Sequence, residues 1–168
     1  MRIADRTSIT YWKSGQDHRP WTPIDLAVPY TFADYVAGRD PVLEAAVRYR
    51  PEPSLLERLS AAAKEKGPAG AVAALIAWSS DPKHRYSDLP GDGVRFIQQM
   101  DNEAAALASA RWLAARHPQY RDAQMLHALL AEAQGQKSEA LMAARAALAL
   151  DPNERQARSV AERAASAN

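Results

Sequence analysis

DAQMLHALLAEAQGQKSEALMAARAALALDPN, running from Asp122 to Asn153, contains two helices and the turn between them. The helices are expected at about 120–134 and 137–150. Gly135 admits the tight turn, and Pro152 cannot continue a helix, so it stops the second one. Pro118 and Pro152 each close a helix with small residues at fixed offsets ahead of it, and Pro82 precedes Pro118 at almost the same interval. An interval of about 34 residues marks a helical repeat, in which each hairpin covers its apolar face by nesting on the next.

Moving outward, Val94 to Pro118 (VRFIQQMDNEAAALASARWLAARHP) repeats the plan with departures. Ala106 and Ala110 hold small positions, Leu113 stands where the later unit has Ala147, and Asp101-Asn102 makes the turn. A weaker unit ends at Asp81-Pro82 with Gly70, Ala74 and Ala77 as its small residues; an ordinary helical hairpin explains that spacing equally well. The last helix, about 153–166, sets Ala157, Val160, Ala161 and Ala164 on one side and Arg155, Arg158, Glu162 and Arg163 largely on the other, as expected of a helix that ends a stack and keeps it soluble.

On these residues the region of about 87–168 resembles the tetratricopeptide repeat family. The resemblance is carried by Ala128, Gly135, Glu139-Ala140, Ala147-Leu148 and Leu150-Asp151-Pro152. It implies that Ala128, Ala140 and Ala147 stand where two antiparallel helices approach closely. It also implies a concave surface, lined by the first helix of each pair, that binds a peptide or partner protein. Groove positions implied by the family register are Arg95, Gln98 and Gln99 in the middle unit and Asp122, Met125, Leu129 and Glu132 in the last. Met125 and Leu129 are apolar where carboxylate-gripping members carry Lys and Asn, so a carboxylate clamp is not expected. Both side chains fit burial against a neighbouring helix equally well.

Upstream, the composition changes near Pro51-Glu52-Pro53. Seven of the 12 aromatic residues lie in the first 49 positions, so this part is expected to pack differently from the alanine-rich remainder. Short strands are expected at Ile9–Lys13 and 24–28. Asp40 reads as an N-cap with Pro41 at the first helical position, and Ser54 as the cap of a helix closed by Gly67, with Pro68 starting another that ends near Ser80. Tyr11-Trp12, Arg19-Pro20-Trp21, Phe32-Ala33-Asp34-Tyr35 and Gly38-Arg39-Asp40-Pro41 ahead of Leu43-Glu44 resemble the end of the protease domain in bacterial tail-specific serine peptidases. That resemblance implies a chain following a catalytic part that lies in other sequence.

The catalytic alternatives are thin. Ser60 and Lys64 sit one helical turn apart, but on a polar helix end where nothing desolvates the lysine, so a Ser-Lys dyad is not expected. His18, His84, His117 and His127 have no metal-ligand spacing; His127 reads as a partly buried, hydrogen-bonded imidazole and His117 as a helix C-terminal residue facing free carbonyls. Pro90-Gly91-Asp92-Gly93 lacks a phosphate loop's ending and reads as a turn, Glu132 and Glu139 read as ordinary carboxylates on exposed helices, and Trp78 and Trp112 read as core. No cofactor or metal is expected. With 21 Lys+Arg against 20 Asp+Glu, the net charge of +1 offers no field for nucleic acid or an anionic membrane, and with no cysteine there are no disulfides or thiolate chemistry. The longest apolar run, Ala69 to Trp78, is half of the about 20 residues a membrane span needs, and the first residues lack a signal-peptide core.

The expectation is a mainly α protein of antiparallel helix hairpins in a short, right-handed tetratricopeptide-like superhelix, with an irregular aromatic-rich N-terminal segment holding one or two short strands. Residues 1–52 form that segment and 53–168 the repeat domain. The expected function is a non-catalytic interaction module for a protein or peptide, with a second copy of the chain as a further candidate partner. The alternative is a structural or dimerising appendage of a serine peptidase. The compartment is cytoplasmic if the chain is complete.

Overall fold

The computed structural model describes residues 26–84 and 87–166, which divide into two units, 26–52 and 53–166. In the first, helix α1 (Phe32–Val36) opens on a capping box: the Thr31 hydroxyl accepts from the Asp34 N–H while the Asp34 carboxylate accepts from the Thr31 N–H at 3.1 Å. Helix α2 (Pro41–Arg48) starts as its sequence predicts, with the Asp40 carboxylate accepting from the Leu43 N–H at 2.9 Å. No strand forms among the described residues. The expected strand at 24–28 is irregular over its described part, a short piece ending at Pro29 with no partner strand, and Ile9–Lys13 lies outside the described residues.

The second unit begins with helix α3 (Leu55–Ser80), whose Ser54 cap forms another capping box with Glu57. Gly67 breaks it with φ 66° and ψ −157°, a conformation open to glycine and not to other residues. The two halves fold back on each other there. The Arg58 guanidinium lies 5.4 Å from the centre of the Trp78 ring, whereas an unbroken helix would hold residues twenty positions apart at about 30 Å. At the close approach, a Cβ on Gly70 would fall 2.4 Å from the Ala62 carbonyl oxygen, so only glycine fits. Of the small residues expected in this hairpin, Gly70 is buried, Ala74 is half-buried and Ala77 is exposed; Ala77 therefore does not serve the packing role read for it.

Helix α4 (Leu89–Ile97) corrects the reading of Pro90-Gly91-Asp92-Gly93 as a turn. Asp88 caps the helix and Pro90 lies in its first turn, where its missing N–H costs nothing, so both glycines are helical. Gly93 is there for space: a Cβ at this position would stand 3.0 Å from Leu113 Cδ2. Helices α5 (Glu103–Arg116), α6 (Arg121–Ala133), α7 (Lys137–Leu150) and α8 (Arg155–Ser166) follow, the last three within two residues of their expected bounds. Asn102 caps α5 through its side chain in place of a turn glycine, and Gly135, with φ 70°, joins α6 to α7.

The period seen in the sequence is also structural. Helices α5 and α7 open at Glu103 and Lys137, and α6 and α8 at Arg121 and Arg155, so both pairs are separated by the same interval as Pro118 and Pro152. Burial repeats at that offset: Ala106 with Ala140, Ser109 with Ala143, Ala110 with Ala144, Leu113 with Ala147, Ala123 with Ala157 and Leu126 with Val160 are all buried. Each helix from α3 onward packs on the next, and α4 with α6 and α6 with α8 meet as well, so α4, α6 and α8 form a row with α5 and α7 set between. The first hairpin departs from this plan, since α3 packs chiefly on α5. Two apolar clusters follow one another along the array. One is built around Leu59, Leu75, Ile97 and Leu113; the other around Leu107, Ala144 and Val160. Among the described residues no helix is long and apolar enough to cross a membrane.

Ser109 is the polar exception among the repeated buried positions. Its hydroxyl is buried without a hydrogen-bond partner among the described residues, while the matching position holds Ala143. Ser109→Ala is therefore expected to stabilise the protein by about 1 kcal/mol, by removing an unpaired buried hydroxyl. Urea unfolding of the two proteins checks this; an unchanged or lower midpoint in the variant would contradict it.

Candidate interaction surface

The spacing of Asp122, Met125, Leu129 and Glu132 places them along one face of α6, and the structure sorts them by exposure. Asp122, in the first turn, is half-buried and accepts from Arg121 at 2.6 Å; Arg121 also reaches Asp151 at 3.3 Å and Glu154 at 3.5 Å, tying the start of α6 to the α7–α8 junction. Met125 is only 7% exposed and belongs to the second apolar cluster, so it is not presented to a ligand. This removes it from the groove set in favour of its other reading, packing between helices. Leu129 is half-buried against the same cluster and keeps an edge outside.

Glu132 accepts two hydrogen bonds from the Arg163 guanidinium, both at 2.7 Å, and Arg163 also donates to the Ser159 hydroxyl. These bonds from Arg163 hold the Glu132 carboxyl below its ordinary pKa. Arg163, placed by the sequence on the outward side of the last helix, and Ser159 thus adjoin the α6 face. The signal that identifies them is the period itself, since Ser159 and Arg163 stand one repeat after Met125 and Leu129.

On α4 and just beyond it, Arg95, Gln98 and Gln99 are all exposed. Arg95 is ion-paired with Asp92 at 3.0 Å, and its guanidinium lies 4.5 Å from the centre of the Phe96 ring; the Gln99 amide donates to the Arg95 carbonyl at 3.1 Å. Gln98 caps the C-terminus of α4. The surviving candidates therefore divide between Arg95, Gln98 and Gln99 on one helix end and Asp122, Leu129 and Glu132 on the next helix of the row.

A second polar cluster sits where α5, α6 and α7 meet. Glu139 accepts from the Arg111 guanidinium through both oxygens and lies 2.5 Å from His127 Nε2, while the Gln136 side-chain oxygen accepts from Arg111 at 2.8 Å. Arg111's hydrogen bonds above all, and then His127's, lower the Glu139 pKa to about 2. Glu139 is thus not an ordinary surface carboxylate. His127, 6% exposed, is the buried and hydrogen-bonded imidazole its place in the helix predicts. His117 differs from its reading. It is the C-cap of α5, but its Nε2 is buried without a partner among the described residues. Burial, helped by Arg116, pushes its pKa down, so it brings no charge to the helix end at neutral pH.

Other groups considered for chemistry are dispersed. Ser60 and Lys64 are both exposed on α3. Trp78 is half-buried on the first apolar cluster and stacks on His84, ring centres 3.4 Å apart, and Trp112 is half-buried on that cluster too. Among the described residues no group of three or more His, Cys, Asp or Glu side chains is placed to hold a metal ion. No protein-family model matches the chain, and no curated protein and no solved structure matches it.

Proposed function

We propose that residues 53–166 are a short tetratricopeptide-like array acting as a non-catalytic interaction module that binds a peptide or partner protein along α4, α6 and α8. The single observation that carries this reading is the contact of these alternate helices with one another, with α5 and α7 between them. Helices that touch within one row and are held apart in the other curve the stack toward the touching row, which becomes its concave side. The recurrence of helix starts and buried positions at one fixed interval supports the same reading.

The surface so formed is polar and internally paired at Glu132 and Arg163, carries the amides of Gln98 and Gln99, and offers one partly open apolar side chain, Leu129. Such a lining suits an extended segment of mixed polar and apolar side chains, held in part by hydrogen bonds to the exposed side-chain amides of Gln98 and Gln99. Peptides selected from a random displayed library against the whole chain test this. A Gln98→Arg/Asp122→Lys variant, both positions exposed or half-exposed and outside the core, is expected to weaken their binding about tenfold or more, as loss of central polar contacts does. Peptides that bind both proteins equally would place the binding surface elsewhere.

The appendage of a serine peptidase is the second reading. It is favoured by residues 26–52, whose large apolar side chains are mostly exposed, as in a segment that covers another surface.

A further inference from the structure

Residues 26–52 invert the usual use of side chains. Their buried residue among those described is an aspartate: Asp34 accepts from the Thr31 N–H, from the Thr31 hydroxyl at 2.5 Å and from Arg39 at 2.6 Å. Polar groups thus brace the α1–α2 link locally, while nine large apolar side chains stand between 49% and 80% exposed. On α1 these include Phe32, Tyr35 and Val36, one helical turn apart; on α2 they are Val42, Leu43 and Val47. On α2 itself Leu43 and Val47 stand one helical turn apart and are 61% and 69% exposed, so that helix presents an apolar stripe of its own.

We infer that this face binds a second copy of the chain, with α2 pairing antiparallel to α2 of the partner across a two-fold axis. Charge decides among occupants. The segment carries Arg39, Arg48 and Arg50 against Asp34, Asp40, Glu44 and Glu52, a balance that gives an anionic membrane nothing to attract. Along α2 and the residues that flank it the charges are also ordered: Asp40, its N-cap, and Glu44 lie toward the N-terminus, Arg48 and, just past the helix, Arg50 toward the C-terminus. Two such helices laid antiparallel set the acidic half of each against the basic end of the other, with their dipoles opposed. The pattern is therefore self-complementary, as a two-fold interface requires. Leu43 and Val47 form the centre of the seam, and Glu44 and Arg48, paired at 3.6 Å within one helix, run along its edge.

Sedimentation equilibrium on the full chain, from about 1 to 100 μM, tests the inference. The expected result is a dimer that Leu43→Asp/Val47→Asp weakens about 100-fold, as loss of central apolar anchors does. Both side chains are already exposed, so circular dichroism should be unchanged. Glu44→Arg alone should weaken the dimer, and the exchange Glu44→Arg/Arg48→Glu should restore it. The inference does not rest on the groove reading, and the Gln98→Arg/Asp122→Lys variant should dimerise normally. A monomer throughout, a dimer indifferent to Leu43→Asp/Val47→Asp, an exchange variant no better than the single one, or a monomer that floats with phosphatidylserine vesicles overturns it.

Discussion

Gly93→Val is expected to destabilise the protein by about 2 kcal/mol and Leu113→Ala by about 3 kcal/mol, with the double variant costing at least about 1 kcal/mol less than their sum. The two positions share one volume. Leu113 is fully buried, and the Cδ atoms of its side chain lie 3.0 and 3.2 Å from where a Gly93 Cβ would stand. A β-branched residue on α4 has to displace that leucine or separate α4 from α5. Shortening Leu113 opens the space that the valine needs, which is why the two effects should not add.

The next hairpin exchanges the residue sizes at the two equivalent positions. His127 is the repeat equivalent of Gly93, and Ala147 that of Leu113; both are buried. The larger residue of the pair is on the first helix in this hairpin and on the second in the preceding one. Urea unfolding of the wild type, both single variants and the double variant gives the coupling directly; strictly additive free energies would mean that the two side chains do not share space.

Glu139→Ala is the second large effect, a loss of about 2–3 kcal/mol. The carboxylate joins three helices, since it sits on α7 and accepts from Arg111 of α5 and His127 of α6. Removing it leaves His127, 6% exposed, without that partner, and a buried polar group left unpaired costs more than the bond it made. Arg111 is about half-exposed and is rescued by water, which keeps the loss below that for a fully buried pair.

The same carboxylate sets a pH dependence. Its pKa of about 2 in the folded protein lies below the ordinary 4.5 that it regains on unfolding, so the folded state binds fewer protons between those values. Its contribution is therefore complete above about pH 4.5 and is lost progressively as the pH falls toward 2. The difference in unfolding free energy between wild type and Glu139→Ala should shrink over that interval. A difference that stays constant throughout it would show that the carboxylate is not held by these partners.

How much of this was legible in the sequence depends on the range of the interaction concerned. Asp40, Ser54, Gly67, Gly135 and Pro152 mark helix ends because a cap, a left-handed turn or a missing N–H acts within a few residues, and the helices begin and end where these residues place them. The same local rule explains one misreading. Pro90-Gly91-Asp92-Gly93 has the composition of a turn, and what makes it helical is Asp88 capping from before it and Leu113 filling the space beside Gly93 from another helix. At the candidate surface, spacing alone put Met125 and Glu132 on one face of α6. It could not tell that the neighbouring helices cover the first and that Arg163 holds the second.

By itself, then, the order of residues determined that the protein is mainly helical, where the helices stop, and that one pattern of small residues and breakers recurs at a fixed interval, because caps, breakers and small residues act on their own turn of chain. Only the tertiary structure decided which side chains meet: Leu113 with Gly93, Glu139 with Arg111 and His127, Glu132 with Arg163. Helical spacing selects the face on which a side chain stands. The partner that it finds there is set by how separate helices cross, which depends on volumes and charges distant in the chain.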